Sequence, residues 1–178
     1  SNCQEGLSRV TLGNFLIKRV VYELQEEFSN IKYFGTLSPM QGFADWFKSL
    51  EENYIGKILG SSNKNILDFL KSHDLKIGDK RIVDNKESIC RIALNYLANV
   101  KNELGFPIND VCRFHLKNGA EIDDIVVNGN VSEVGFKRSF GVMVNYNYEL
   151  KSIEQNHQEY VNDKKVNISK KIKKYVKN

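Results

Sequence analysis

The chain is poor in the residues that interrupt or staple a fold. It has two prolines in 178 residues, and with no Gly- or Ser-rich block this excludes a long linker or a low-complexity segment. Cys3, Cys90 and Cys112 are odd in number and lack metal-like spacing. That excludes a disulfide framework and fits ordinary thiols in a reducing compartment, cytoplasmic or, in a eukaryote, organellar. His73, His115 and His157 have no carboxylate or thiolate at ligand spacing, so no metal site is expected. No apolar run approaches the roughly 20 residues that span a bilayer, so no stable membrane insertion is expected. There is no internal repeat.

What is present suffices for one ordinary domain: 41% apolar residues can bury a core, and 27% charged residues of both signs can solvate it. The net charge of +4 is local, because Lys164, Lys165, Lys170, Lys171, Lys173, Lys174 and Lys177 crowd the C-terminal end. Ile168, Ile172 and Tyr175 recur at i, i+4 and i+7, so 162–178 is expected to be a basic amphipathic helix or tail, separate from 1–161, with its apolar stripe docked. Aromatic interleaving and nucleic-acid motifs are missing, and no nucleic-acid partner is expected.

Hydrophobic spacing predicts a helix over 12–28, where residues 12, 15, 16, 20, 24 and 28 form one stripe. Further helices are expected over 43–50, 65–72, 88–104 and 153–161. The stretch 88–104 carries Ile89, Ile92, Ala93, Tyr96, Leu97 and Val100 on one face. Residues 32–37 read as a strand ending at Ser38, since Pro39 disfavours continued pairing. Residues 111–117 read as a second strand, with Cys112, Phe114 and Leu116 on one face and Arg113 with His115 on the other. Asn118-Gly119 is a turn signal. Strands are also expected over 120–127 and 140–150, where Val142, Val144, Tyr146 and Tyr148 alternate with Gly141, Met143, Asn145 and Asn147. The sum is an α/β fold, a sheet with flanking helices.

Between Gln4 and Asn14 lie Gly6, a short irregular stretch, and then Leu12 and Gly13 at the opening of a long helix. Unpaired N–H groups at such an end attract anions, and glycine lets a phosphate approach the backbone.

Four phrases have an order that composition does not explain: Ser1-Asn2-Cys3-Gln4-Glu5-Gly6-Leu7, Thr36-Leu37-Ser38-Pro39-Met40-Gln41-Gly42-Phe43, Arg113-Phe114-His115-Leu116-Lys117-Asn118-Gly119-Ala120, and Gly141-Val142-Met143-Val144-Asn145-Tyr146-Asn147-Tyr148. In order and rough spacing they resemble the catalytic domain of malonyl-CoA decarboxylases, over about residues 1–161 and weakly over 48–107. The resemblance implies the C-terminal part of an acetyltransferase-like (GNAT-like) fold with a mixed sheet, truncated on its N-terminal side. It implies loss of carbon dioxide from malonyl-CoA to give acetyl-CoA, with the thioester as substrate and no cofactor. It assigns Ser38, His115 and Tyr148 to catalysis. Ser38 is expected to meet the departing carboxylate, His115, near its ordinary pKa of about 6.5, to orient the serine or protonate carbon, and Tyr148 to position the acyl end. Gln4, Gly6, Leu12, Gly13, Asn14 and Asn145 are assigned to the coenzyme A thioester. Thr11 stands where some members carry an acidic residue, which would leave His115 less basic. Two alternatives stay open: an inactive remnant that needs its missing N-terminal region or a second copy, and an acyl-CoA-dependent acyltransferase.

Overall fold

The computed structural model describes residues 12–60, 66, 72 and 75–176, with side chains described from residue 17 onward. Helices are α1 (Leu12–Glu27), α2 (Phe43–Lys48), α3 (Glu52–Leu59), α4 (Lys80–Asp84), α5 (Lys86–Asn99), α6 (Asp110–Lys117), α7 (Glu133–Ser139) and α8 (Ile153–Asp163), and strands are β1 (Gly35–Pro39), β2 (Glu121–Val126) and β3 (Met143–Asn147). The expected helix over 65–72 lies largely outside the described residues.

The three strands form an antiparallel sheet in the order β1-β3-β2. The mixed sheet expected from the sequence is therefore not what the described strands build. The parallel contact among them is an isolated bridge between Ile122 and Ile168. Alternation along β3 holds as expected: Val144 and Tyr146 are buried, while Asn145 and Asn147 lie on the other side. β1 runs later than expected and includes Pro39, which opposes Met143. Among the described strands it pairs on one side only, which lets a proline sit there without losing a ladder donor.

The buried face of the sheet packs against α5, whose Ile89, Ile92, Ala93, Tyr96 and Leu97 are all buried, as the stripe predicts. That helix stops at Asn99, short of the expected 104. Residues 100–109 instead fold back, with Ile108 N–H donating to the Val100 carbonyl and Asn102 N–H to the Phe106 carbonyl.

Two expectations are corrected. Residues 111–117 are helical rather than extended: Asn109 caps α6 by accepting from Cys112 N–H at 2.8 Å, and Asp110 sits in the first turn. The helix buries Cys112, His115 and Leu116 at i, i+3 and i+4. Over seven residues that stripe competes evenly with a strand's alternation, and the cap decides between them. Arg113 therefore does not share a face with His115; it donates to the Pro107 and Ile108 carbonyls at 2.8 Å and pairs with Asp110.

The C-terminal end is not one amphipathic helix. After α8 the chain turns at Lys164, φ 56°. It then runs beside β2, where Ile122 N–H donates to Asn167 and Ser169 N–H to Ile122, both at 2.9 Å. A single 3-10 turn follows at Lys173–Tyr175. Backbone pairing to β2 outweighs the helical period of the apolar residues. Ile172 still buries as the docked stripe requires, and Lys171 pairs with Asp124 at 2.8 Å.

Gly119 ends α6 at φ +82°, and a Cβ there would collide with the carbonyl of Ile153 at the start of α8. Gly119→Ala is expected to lower stability by about 2 kcal/mol or more. A denaturant midpoint equal to that of the parent chain would contradict this contact.

Candidate active site

Ser38, near the end of β1, opposes Val144 of β3, and Thr36 opposes Tyr146. Directly opposed residues share a face of the sheet, so Thr36, Ser38, Val144 and Tyr146 all project to one side. α6 lies over that face and brings His115 down onto it. The imidazole stacks on the Tyr146 ring, 4.2 Å between centroids and 18° from parallel.

From that position its two nitrogens reach in opposite directions. Nε2 lies 2.9 Å from Ser38 Oγ and Nδ1 lies 2.6 Å from Tyr148 Oη, making a continuous Ser38–His115–Tyr148 chain. All three residues are buried. Ser38 Oγ also approaches Thr36 Oγ1 at 3.3 Å.

The register between α6 and β1 is held by a backbone clamp. The carbonyl of Gln41, just after the Ser38-Pro39 step, accepts from Asn109 Nδ2 at 2.8 Å and from Tyr96 Oη at 3.1 Å. Asn109 thus caps the histidine's helix with its oxygen and holds the serine's loop with its nitrogen. Gly42, at φ 77°, turns that loop into α2.

Burial governs the electrostatics. It pushes the His115 pKa down to about 4, so the ring is neutral at pH 7 rather than titrating near its ordinary value as expected from sequence. Burial also raises the phenols of Tyr148 and Tyr146 and lifts the Cys112 thiol to about 12. A neutral imidazole has one N–H, so the chain runs in one direction at a time: Tyr148 donates to Nδ1 while Nε2–H donates to Ser38, or the reverse.

The other assigned residues fall elsewhere. Asn145 lies on the opposite side of the sheet and accepts from Tyr33 Oη at 2.5 Å, away from Ser38. Gln4, Gly6 and Thr11 lie outside the described residues. Leu12, Gly13 and Asn14 form the first turn of α1, their side chains undescribed. His73 is outside the described residues, and His157 packs on the end of α6, where Nδ1 meets the Lys117 carbonyl. Cys90 and Cys112 are unpaired and buried. Among the described residues no three His, Cys, Asp or Glu side chains gather as metal ligands, and no helix is long and apolar enough to cross a membrane. Sequence reasoning missed Tyr146 as the histidine's stacking partner and Thr36 beside the serine. Both follow from the two-residue strand period once Tyr148 and Ser38 are placed.

The model of the malonyl-CoA decarboxylase C-terminal domain matches residues 1–178, the full length of the chain. The chain belongs to the malonyl-CoA decarboxylase family. It is 34% identical to the mitochondrial malonyl-CoA decarboxylase of Anser anser anser, over 99% of its own length and 38% of that protein's. To the mouse (Mus musculus) mitochondrial enzyme it is 33% identical, over 95% and 38%. Its structure resembles the crystal structure of the Rhodopseudomonas palustris malonyl-CoA decarboxylase, with a TM-score of 0.86 and 36% identity over 99% of this chain and 40% of that one. The Cupriavidus metallidurans enzyme gives a TM-score of 0.79 and 32% identity over 97% and 46%. The chain thus spans about two fifths of the length of the curated relatives it matches.

A histidine held neutral by burial makes folding pH-dependent. Its folded pKa lies below the unfolded one, so its share of stability is whole above about pH 6.5 and is lost as pH falls toward about 4, an effect on the order of 3 kcal/mol. Denaturation midpoints taken across this window for the parent and His115→Gln should diverge, the parent losing more toward acid. Parallel pH profiles would contradict the neutral, buried ring.

Proposed function

We propose that this chain carries the catalytic centre of a malonyl-CoA decarboxylase, converting malonyl-CoA and a proton to acetyl-CoA and carbon dioxide. The observation that carries the proposal is the buried Ser38–His115–Tyr148 chain within a full-length match to the family's C-terminal domain. In this reaction the bond between the α-carbon and the carboxylate carbon breaks and its electron pair enters the thioester carbonyl. Carbon dioxide leaves, and the resulting enolate takes a proton at carbon. The thioester is itself the electron sink, so the step needs no prosthetic group.

The geometry supports a narrower division of labour than residue types suggest. Both nitrogens of His115 are engaged and one face is covered by Tyr146, so Ser38 is the member that meets substrate and Tyr148 stands behind the histidine. With Tyr148 donating to Nδ1 and Nε2–H donating to Ser38, the serine hydrogen is free for the substrate. Ser38 then protonates the α-carbon, Nε2–H reprotonates the serine oxygen, and Tyr148 returns a proton to Nδ1. The tyrosinate left behind is a far weaker base than a thioester enolate, so this transfer runs downhill before solvent restores the proton. Burial of the chain keeps bulk water from short-circuiting it.

Coenzyme A enters the same proposal through the first turn of α1, whose Leu12, Gly13 and Asn14 follow the Gln4 and Gly6 phrase. The first-turn N–H groups of a sixteen-residue helix, which have no acceptor within the helix itself, favour a diphosphate. The acetyltransferase-like arrangement of the whole sheet belongs here too, supported by the antiparallel β1-β3-β2 core. Asn145 does not enter, since it faces away from Ser38. A second reading, favoured by the two-fifths span, is that turnover requires the rest of a longer protein.

Ser38→Ala is expected to lower acetyl-CoA formation by about 100-fold or more, while costing only about 1–3 kcal/mol of stability, so that the variant still unfolds cooperatively. The parent's rate should stay flat from pH 6 to 8, because His115 is neutral throughout. Retention of most turnover in Ser38→Ala would remove the serine from the chemistry. An inactive chain whose turnover returns when joined to an upstream region of a relative would favour the second reading.

A further inference from the structure

The chemistry above leaves two hydroxyls on the active face unused, that of Tyr146, which is buried without a partner, and that of Thr36. Thr36 precedes Ser38 by one strand period, projects from the same face, and opposes the tyrosine on which His115 stacks. Ser38 is almost fully buried whereas Thr36 is half-buried, so the threonine is the more accessible of the two. The two oxygens are 3.3 Å apart. Hydroxyl hydrogen bonds of ordinary strength are about 2.7–2.8 Å long, so this pair is too loose to be a strong internal bond and is free to turn elsewhere.

We infer that Thr36 is a second substrate-binding hydroxyl, and that Thr36 and Ser38 together hold the two oxygens of the malonyl carboxylate. The inference rests on the decarboxylase reading for the identity of the anion. Two donors at this spacing can each address one oxygen of a single carboxylate, and two contacts fix its plane where one leaves it free to rotate. That orientation matters, because the breaking bond must stand out of the thioester plane for its electrons to enter the carbonyl.

Neutral hydroxyls suit the task better than a cation would. The carboxylate loses its charge as carbon dioxide forms, so a lysine or arginine there would stabilise the ground state more than the transition state and slow the step. Hydroxyls orient the group with less of that penalty. As the charge moves to the enolate, Ser38 releases its contact and turns its hydrogen to the α-carbon. Thr36 keeps hold of the leaving group.

The test compares binding of sulfoacetyl-CoA, whose sulfonate stands in for the carboxylate and cannot be lost as carbon dioxide, with binding of acetyl-CoA, which lacks the anion. Both affinities are measured by calorimetry on the parent chain, Thr36→Val and Thr36→Ser. Valine keeps the branched shape and strand preference but removes the hydroxyl, and serine keeps the hydroxyl. Thr36→Val is expected to lose about tenfold or more of the preference for the anionic ligand, with acetyl-CoA binding unchanged, and Thr36→Ser to retain the preference. An unchanged preference in Thr36→Val, equal weakening of both ligands, or no preference in the parent would overturn the assignment. Turnover of malonyl-CoA by the parent is read separately. A parent that prefers the anion yet forms no acetyl-CoA, even when joined to an upstream region of a relative, would sink the decarboxylase reading and leave the hydroxyl pair standing.

Discussion

A neutral imidazole suspended between two hydroxyls is the interaction on which the other features of the site depend. Water would compete for both nitrogens of His115 and would raise its pKa, so the ring must be dry. A dry ring must in turn have both nitrogens satisfied, because an unpaired buried polar atom costs about 1–3 kcal/mol. Ser38 and Tyr148 meet that requirement from opposite sides, and Tyr146 covers the ring face between them. The same arrangement that makes the histidine affordable to bury leaves it no free nitrogen for a ligand. In the proposed reaction, substrate therefore meets the serine and not the histidine.

The fold can be understood as the means of holding that geometry. β3 lies between the other two strands and supplies Tyr146, with Tyr148 just beyond its end, while β1 supplies both hydroxyls at the matching register. The histidine comes from a separate element, α6, whose position relative to β1 would be free were it not for the Gln41 carbonyl. Two side chains from different helices converge on that one oxygen. At the other end of α6, Gly119 permits the close approach of α8. The helix is therefore fixed at both ends, which the proposed role of His115, its sixth residue, requires.

Patterns with one dominant period were legible in the sequence and those with two were not. The stripe of α5 and the alternation of β3 each show one period, and both are found, over the shorter spans Lys86–Asn99 and Met143–Asn147. Residues 111–117 carry both periods at once. Their alternation points to a strand, while the Asn109 cap decides for helix. The C-terminal lysine-rich end carried a true helical period, yet Asn167 and Ser169 pair with Ile122 instead, a competition between distant segments that no local pattern reports. Ser38, His115 and Tyr148 could be singled out only by their resemblance to a family. That they meet in one chain, with the histidine in the middle, depends on three elements separated by more than 70 residues of sequence between the serine and the histidine.

The geometry of the site depends on the state of the histidine. With the imidazole nitrogens labelled with 15N, the ring of His115 should show one protonated and one unprotonated nitrogen, unchanged from pH 8 down to pH 5.5, with the protonated one lost from its assigned position in Ser38→Ala or Tyr148→Phe by a change in shift. A ring that titrates with a pKa near 6.5, or whose nitrogens ignore both substitutions, would contradict a neutral histidine held between Ser38 and Tyr148.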